Sequence, residues 1–352
     1  MKPNNCDNFQ KMFTLLFIVC LSVDLSNSEE GDLGYSLNIG NAIDVFANYG
    51  DLSQVTQVVS ADYEEEYDDT ESPQPFREKN IRVFLNASSK EYPGDAMVDM
   101  NILLYESFDD LLDGYFQNFY IEGTDKPWKA FMGDWITDEI MRTLGIEYDP
   151  RPDTCCYVLL KLTRVHRTVK IDDLTDVALT SYVKRAVDAL NASDVAEIRK
   201  FMKSYGTHYI DSFATGNFIY QVFKYKRSGY NLLRSYIKLR GNSQVGSDTL
   251  RFYFSSYFLK QVGDIRIASG NKTVEAWARR NLRDSQYLYY RPSLLRLHYN
   301  PMLAYKLNEM LDNGALLSLG LKTLKPLFTD EEKRRKYVEV VENDMRLWEV
   351  NA

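Results

Sequence analysis

Two unusually long strand-like segments constrain the fold of this chain most strongly. Residues 157–171 (YVLLKLTRVHRTVKI) are rich in β-branched side chains and alternate, imperfectly, between apolar and polar positions. A second segment runs from Thr207 to about Tyr225 and alternates again near its end. We therefore predict two long β-strands, separated in the chain by a helical region.

Helical periodicity fills the stretch between these two strands. Thr175 can cap a helix that runs to Leu190, and Ser193 can cap a second helix that runs to Tyr205. Gly206 suits the end of that helix, because glycine readily adopts the left-handed conformation common there.

Three further elements are predicted after the second long strand. Residues 250–258 alternate with period two, which favours an ordinary half-buried strand. Asn300 and Pro301 mark the start of a helix. Thr329 and Glu332 form a capping box for a last, highly charged helix.

The first 28 residues have the layout of a secretory signal peptide. Lys2 and Lys11 precede an apolar run from Met12 to Val23, which is too short to span a bilayer. Small residues follow, and cleavage is predicted after Ser28. We therefore expect a secreted, extracellular protein.

Three Asn-x-Ser/Thr sequons fit this compartment, because such sequons accept glycans in the secretory pathway. The predicted glycosylation sites are Asn86, Asn191 and Asn271.

Cleavage would leave only one pair of cysteines, the neighbours Cys155 and Cys156. Their Cα atoms must lie about 3.8 Å apart, which is closer than in ordinary disulfides. Three readings stay open: two buried thiols, a distorted disulfide or redox pair between the neighbours, and bridges to another chain.

Composition and motifs argue against an enzyme and against a nucleic-acid-binding protein. The formal net charge is −8, which disfavours binding to nucleic acid. The chain has three histidines and no Cys-x-x-Cys spacing, so no metal site and no cofactor are predicted. His208 and Asp211 suggest a catalytic triad, but residues three apart on a strand face opposite sides. We predict no catalytic residue.

The charge is concentrated in two segments. Residues 62–71 hold seven acids, and with the following residues they predict a flexible loop over 62–75. This loop is either a solubilising segment or a docking segment for a basic partner. The stretch between Asp211 and Asp248 has no acid. Six basic residues lie in this stretch: Lys224, Lys226, Arg227, Arg234, Lys238 and Arg240. They indicate a basic surface that binds an anionic partner or a membrane. The alternative interpretation is an ordinary half-buried strand.

The junction between the second helix and the second long strand carries a motif. It reads Tyr205-Gly206-Thr207-His208-Tyr209, followed after six residues by Gly216 and Asn217. This resembles the signature of the membrane-attack-complex/perforin (MACPF) family: aromatic-Gly-Thr/Ser-His-aromatic, six residues, Gly-Gly. Asn217 replaces the second glycine, and the glycines at this place are associated with bending of the sheet in pore-forming members.

The resemblance covers roughly residues 33–325 and implies an α+β fold. The expected MACPF fold is a bent, mostly antiparallel four-stranded sheet flanked by two helical clusters, here at about 95–150 and 227–262. The predicted organisation is a signal peptide (1–28), a MACPF domain (29–325) and a charged C-terminal helix (326–352) packed on the domain or trailing it.

Within the family, the chain is most similar to single-domain secreted members without cysteine-rich, EGF-like or lipid-binding modules. This resemblance implies a non-lytic factor that enables local activation of a receptor tyrosine kinase in embryonic patterning. The implied partners are an extracellular growth-factor ligand or its receptor, with eggshell matrix or plasma membrane as attachment surfaces. The alternative is a membrane-binding or pore-forming effector.

Overall fold

A computed structural model describes most of the chain after residue 36. The described residues are 37–47, 52, 81–84, 88–93, 99–132, 136–173, 178–191, 193–241, 246–268, 272–283, 291–298, 300–311 and 315–351. The signal segment, the acidic segment 62–75, Asn86 and Asn271 lie outside these residues.

Strands and helices are both well represented in the described residues. The strands are β1 (Asn41–Ile43), β2 (Ile81–Arg82), β3 (Ser88–Pro93), β4 (Asp99–Tyr105), β5 (Phe119–Ile121), β6 (Cys156–Asp173), β7 (His208–Tyr225), β8 (Leu259–Ile267) and β9 (Ala315–Thr323). The helices are α1 (Phe108–Tyr115), α2 (Trp128–Met132), α3 (Thr137–Thr143), α4 (Ser181–Ala189), α5 (Val195–Tyr205), α6 (Arg227–Arg240), α7 (Ser247–Tyr253), α8 (Lys272–Asn281), α9 (Leu295–His298), α10 (Pro301–Met310) and α11 (Glu331–Asn351).

The two predicted long strands, β6 and β7, form the centre of one sheet. Each has 18 residues, well above the usual strand length of about 3–10, and they pair antiparallel. On the free side of β6, β4 and β3 pair with successive halves of the strand. On the other side of β7, β8 and β9 do the same. The centre of the sheet is therefore four strands wide, with each outer position shared by two strands. β5 adds a short parallel strand outside β9, and β1 pairs with the start of β7 and with β2.

Each face of the sheet has its own hydrophobic core. Tyr157 and Leu159 lie in a core with helices α1, α2 and α3. Val158 and Leu160 point to the opposite face and lie in a core with helices α6 to α10. Burial on both faces explains the imperfect alternation of β6, because such a strand needs apolar residues at successive positions. The predicted α+β arrangement, with a helical cluster on each face, is confirmed.

The strand predicted over residues 250–258 is wrong. The segment forms most of α7 and a turn before β8. Leu250, Phe254 and Phe258 are buried, whereas Phe252 and Tyr257 are exposed. Positions 250, 254 and 258 are spaced by four residues. That spacing fits one face of a helix as well as one face of a strand, so the pattern did not distinguish them.

Two predicted helix caps lie one residue further along. The side chain of Asp194, not Ser193, accepts a hydrogen bond from the Ala196 amide at the start of α5. Asp330, not Thr329, accepts from the Lys333 amide at the start of α11. The predicted cap at Asn300 is confirmed, since its side chain accepts from the Leu303 amide.

The charged C-terminal helix α11 packs on the domain. Tyr337 and Val341 are buried in a third core together with residues of α4 and α5. Met345 reaches the core beneath α1. Arg199 of α5 forms an ion pair with Asp344 of α11 at 2.6 Å.

The outer strands begin or end at about the same position along the two central strands. The pairing of β6 with β7 has a bulge between Val165 and Arg167, opposite Gly216. The β4, β3, β8 and β9 pairings end or begin within a few residues of this level. A bulge bends its strand and increases the local twist, so the sheet changes direction here. A Cβ atom on Gly216 would lie 2.1 Å from the Arg164 carbonyl oxygen.

We predict that Gly216→Ala lowers the free energy of unfolding by about 1–3 kcal/mol, because the new methyl group meets backbone that cannot move away. The matched control is Gly246→Ala. Gly246 has φ −70° and open space around its Cβ position. The control is expected to change stability by less than about 0.5 kcal/mol. Chemical denaturation measures both, and equal stability of the two variants would contradict the prediction.

Candidate functional site

The signature residues lie where α5 ends and β7 begins. Gly206 has φ +88°, a conformation that side chains other than glycine rarely adopt. A Cβ atom there would lie 3.0 Å from the backbone of Ile43. The glycine therefore permits the turn at the end of α5, as the sequence predicted, and also the close approach of β1, which the sequence did not indicate.

Thr207 joins three segments through its backbone and its hydroxyl. The hydroxyl oxygen accepts from the Val45 amide at 3.0 Å. The Thr207 carbonyl accepts from the Leu324 amide and from the Tyr337 hydroxyl. Leu324 follows β9, and Tyr337 belongs to α11. The signature threonine thus holds the start of β7 against the segment after β1, the end of β9 and the last helix.

His208 is fully buried and makes two polar contacts. Its Nε2 lies 2.8 Å from the Glu122 carbonyl, to which it donates, and its Nδ1 lies 3.0 Å from the Thr207 hydroxyl. Burial lowers the pKa of His208 to about 4, so the imidazole is neutral near pH 7. Asp211 instead pairs with Lys322 at 2.9 Å. The two residues that suggested a triad have separate partners.

Asn217 lies at the second-glycine position of the signature and is 1% exposed. Its side-chain amide donates to the Leu311 carbonyl at 2.9 Å and lies 3.0 Å from Nε2 of His166. Arg164, opposite Asn217 in the register, donates to the Asn308 carbonyl at 3.1 Å. Carbonyls at a helix C-terminus lack partners within the helix. Here side chains from the bend of the sheet cap the end of α10.

The two cysteines are free and buried, on opposite faces of the sheet. Cys155 lies in the core with α1, and Cys156 lies in the core with α6. The Cys155 sulfur is 3.2 Å from Nζ of Lys260 and 3.5 Å from Asp149 Oδ2. Burial raises the pKa of the Cys156 thiol. This arrangement corresponds to the reading of two buried thiols.

The six predicted basic residues do not form one surface. Lys224 is 4% exposed and donates to the Glu147 carbonyl at 2.6 Å. Arg227 and Arg234 lie against Glu106, a partner that the sequence did not indicate. The exposed bases of this set are Lys226, Arg227, Lys238 and Arg240. Within the described residues, Lys238 and Arg240 have no carboxylate within 4 Å.

Exposed apolar side chains lie on α6 and α7 near these bases. Tyr236 of α6 contacts Tyr253 of α7, with ring centroids 5.5 Å apart. Exposed side chains flank this pair on both helices and on the turn that follows. We name the set the α6–α7 patch: Leu232, Leu239, Phe252 and Tyr257.

Of the predicted glycosylation sites, Asn191 is the one within the described residues. It is exposed in the connection between α4 and α5, and its side chain accepts from the Ser193 amide at 3.1 Å. No group of three or more His, Cys, Asp or Glu side chains in the described part could hold a metal ion. None of the described helices is both long and apolar enough to cross a membrane.

Part of the sequence matches a known protein family. Residues 151–273 match the family model of the MAC/Perforin domain. The matched region contains β6, the α4–α5 pair, the signature, β7, the α6–α7 pair and β8. This matched part of the chain is therefore similar to a MAC/Perforin domain, and the α+β arrangement around it fits the MACPF fold.

Solved structures with low sequence identity are also similar to this chain. GNIP1Aa from Chromobacterium piscinae is 12% identical with a TM-score of 0.45, and the match covers 90% of this chain and 56% of that one. A putative cell invasion protein with a MAC/Perforin domain from Bacteroides thetaiotaomicron is 13% identical with a TM-score of 0.38, covering 72% and 52%. Astrotactin-2, described as a perforin-like membrane protein involved in neuronal development, is 12% identical with a TM-score of 0.30, covering 73% and 38%. The chain spans about half the length of the first two. The search of curated proteins returned no match.

Two groups near the signature motif, the buried His208 and the half-buried Asp44, give opposite pH dependences. His208, with its low pKa, takes up a proton on unfolding below about pH 6.5, so stability falls as the pH falls from about 6.5 to 4. Burial raises the pKa of Asp44 to about 6. The folded state therefore holds that proton more tightly, and stability rises as the pH falls through 6. In the native protein the two effects offset each other.

We predict that Asp44→Asn removes the compensating contribution of Asp44, so that the destabilisation by His208 at low pH can be measured. Its free energy of unfolding should fall more steeply than that of the native protein between pH 6.5 and 4, by up to about 1.4 kcal/mol per pH unit. Asp113→Asn, which removes an exposed carboxyl on α1, should keep the native slope. Urea denaturation at several pH values measures the free energy of unfolding of each protein. If it depends on pH equally in all three proteins, Asp44 does not offset the effect of His208 and the prediction is wrong.

Proposed function

We propose that this protein is a secreted, non-lytic MACPF factor similar to the insect protein Torso-like. In this role it enables local activation of the Torso receptor tyrosine kinase during terminal patterning of the embryo. Its partners are the extracellular growth-factor ligand or the receptor, and it is held at the eggshell matrix or at the plasma membrane. It acts by binding, without catalysis, cofactor or nucleic acid.

The observation that carries the non-lytic part of this proposal is the environment of Asn217. Pore formation in the resembled family is associated with glycines at this bend, and here the second glycine is a buried asparagine. Its amide donates to Leu311 after α10. Arg164 also donates to this carbonyl, at 3.4 Å, and lies at the same bend. Moving the bend would therefore remove both donors and leave the buried carbonyl without a partner, which costs about 1–3 kcal/mol.

The helices that would have to unfold are also well attached. Leu233 of α6 and Leu250 of α7 are buried against β6 and β7. Arg234 of α6 pairs with Glu106, which follows β4. A binding role keeps all of these contacts, whereas membrane insertion of this segment requires their loss.

The signalling role predicts a concentration-dependent effect on the receptor. Purified glycoprotein, added with the growth-factor ligand to insect cells that express the receptor, should increase receptor tyrosine phosphorylation above the level with ligand alone. Cells without the receptor and cells without the ligand are the controls. No increase at any concentration, from protein shown to be folded, would overturn the proposal.

A second candidate function is membrane attachment, and the α6–α7 patch favours it. Its exposed apolar side chains lie close to the bases Lys226, Lys238 and Arg240. Lys226 Nζ is 5.9 Å from the Tyr257 ring centroid. Aromatic and leucine side chains beside Lys and Arg are typical of helices that lie at a bilayer surface.

We predict that the native protein releases no dye from vesicles that contain phosphatidylserine. Release would overturn the non-lytic proposal and favour the pore-forming alternative. Sedimentation with the same vesicles tests attachment without release. If the patch attaches the protein, the double variant Leu239→Ser/Phe252→Ser loses binding. The matched control Leu347→Ser, which alters an exposed leucine on α11, keeps it.

A further inference from the structure

A dense group of arginines lies on α8 and the segments that follow it, outside the basic segment that the sequence indicated. We name this group the arginine surface. Its members are Arg279, Arg280, Arg283, Arg291 and Arg296.

Hydrogen bonds show that these arginines are neighbours. Arg283 donates from Nε to the Arg279 carbonyl at 3.4 Å, and Arg296 donates to the Arg283 carbonyl. Arg283 also forms a β-bridge with Pro292, next to Arg291. The carbonyls at the C-terminal end of α8 favour cations there, which lets like charges collect.

Most of this charge has no acidic partner. Glu275 is 2% exposed and lies within 4 Å of Arg266, Lys272 and Arg279. The other four arginines of the surface have no carboxylate within 4 Å in the described part of the chain. All four donate instead to backbone carbonyls, those of Ala276, Arg279, Val262 and Arg283. Their positive charge is therefore available to a ligand.

A cavity of about 550 Å³ opens beside these arginines. Arg279 and Arg291 line it together with Arg142 and Arg266. Its acids Asp138 and Asp264 pair with Arg142 and Arg266, and Glu147 also lies in its wall. The four arginines that line the cavity outnumber its three acids, and Arg280, Arg283 and Arg296 add positive charge beyond its lining.

We propose that the arginine surface binds a sulfated polysaccharide. Guanidinium groups bind sulfate through paired, charge-assisted hydrogen bonds, and a chain with repeated sulfates can engage several of them at once. A bilayer fits less well. Among the described residues 259–268, 272–283 and 291–298, no large hydrophobic side chain is exposed, so these residues supply no membrane anchor beside the arginines. This binding does not depend on the proposed role in signalling.

Binding to immobilised heparin tests the proposal with the full-length secreted protein. The native protein should bind, and its affinity should fall steeply with salt. Arg280→Gln/Arg283→Gln/Arg291→Gln should weaken binding about tenfold, if each exposed pair contributes about 0.5 kcal/mol. The matched control is Lys226→Gln/Lys238→Gln/Arg240→Gln, which removes three charges from α6 and the residue before it. It should bind like the native protein.

Three outcomes would overturn the proposal. They are no heparin binding by the native protein, equal weakening by the two triple variants, and undiminished binding to chemically desulfated heparin. Binding to phosphatidylserine vesicles that depends on the arginine surface, in the absence of heparin binding, would assign the surface to lipid instead. Thermal melting of each variant checks that its fold is intact. The comparison of heparin with desulfated heparin uses the native protein alone, so it tests the proposal even if a variant does not fold.

Discussion

The antiparallel pairing of β6 with β7 is the constraint on which the rest of the structure depends. Nearly every side chain of β7 and of the first half of β6 is removed from water, because these parts are covered on both faces, whereas residues 163–168 of β6 are partly exposed. The helical clusters owe their places to this pairing, because each must cover one face. Each end of β7 meets a segment on which the proposals depend. The MACPF-like signature motif lies at the start of β7, and the α6–α7 pair follows the end of β7.

Buried amides on β7 then fix its neighbours in position. Gln221 donates to the carbonyls of Gly263 and Pro292 and accepts from the Leu294 amide. Asn217 holds the end of α10 in the same way. A buried amide is costly unless it is hydrogen-bonded, so each one strongly favours a single placement of the segment opposite it. Hydrogen bonds from Asn217 and Gln221 thus connect β7 to the segments on the face that carries α6 to α10.

Sequence patterns predicted those features that depend on local chemistry. The long strands, the α5–Gly206 junction and the Asn300 cap follow from composition, conformational freedom and capping. The strand prediction for 250–258 was wrong because its buried apolar residues are four positions apart. Residues with that spacing lie on one face of a helix and also on one face of a strand. The arginine surface was not predicted, although four of its five members lie within residues 279–291. A count of charge over residues 266–296 would have indicated it.

The amphipathic pattern of α6 bears on whether this segment enters a membrane as strands. As a helix, it buries Tyr230 and Leu233 and exposes Lys238 and Arg240. As an extended strand, its even-numbered positions would place Arg234 between Leu232 and Tyr236. Its odd-numbered positions would place Ser235 between Leu233 and Ile237. The odd-numbered face continues with Leu239 and the even-numbered face with Lys238 and Arg240, so an extended α6 would have one mostly apolar and one basic face, as membrane strands do. What favours the helix is therefore its packing rather than its pattern, since insertion would give up the buried contacts of Tyr230 and Leu233. The α6–α7 patch and the arginine surface are then proposed binding surfaces that exist in the folded domain.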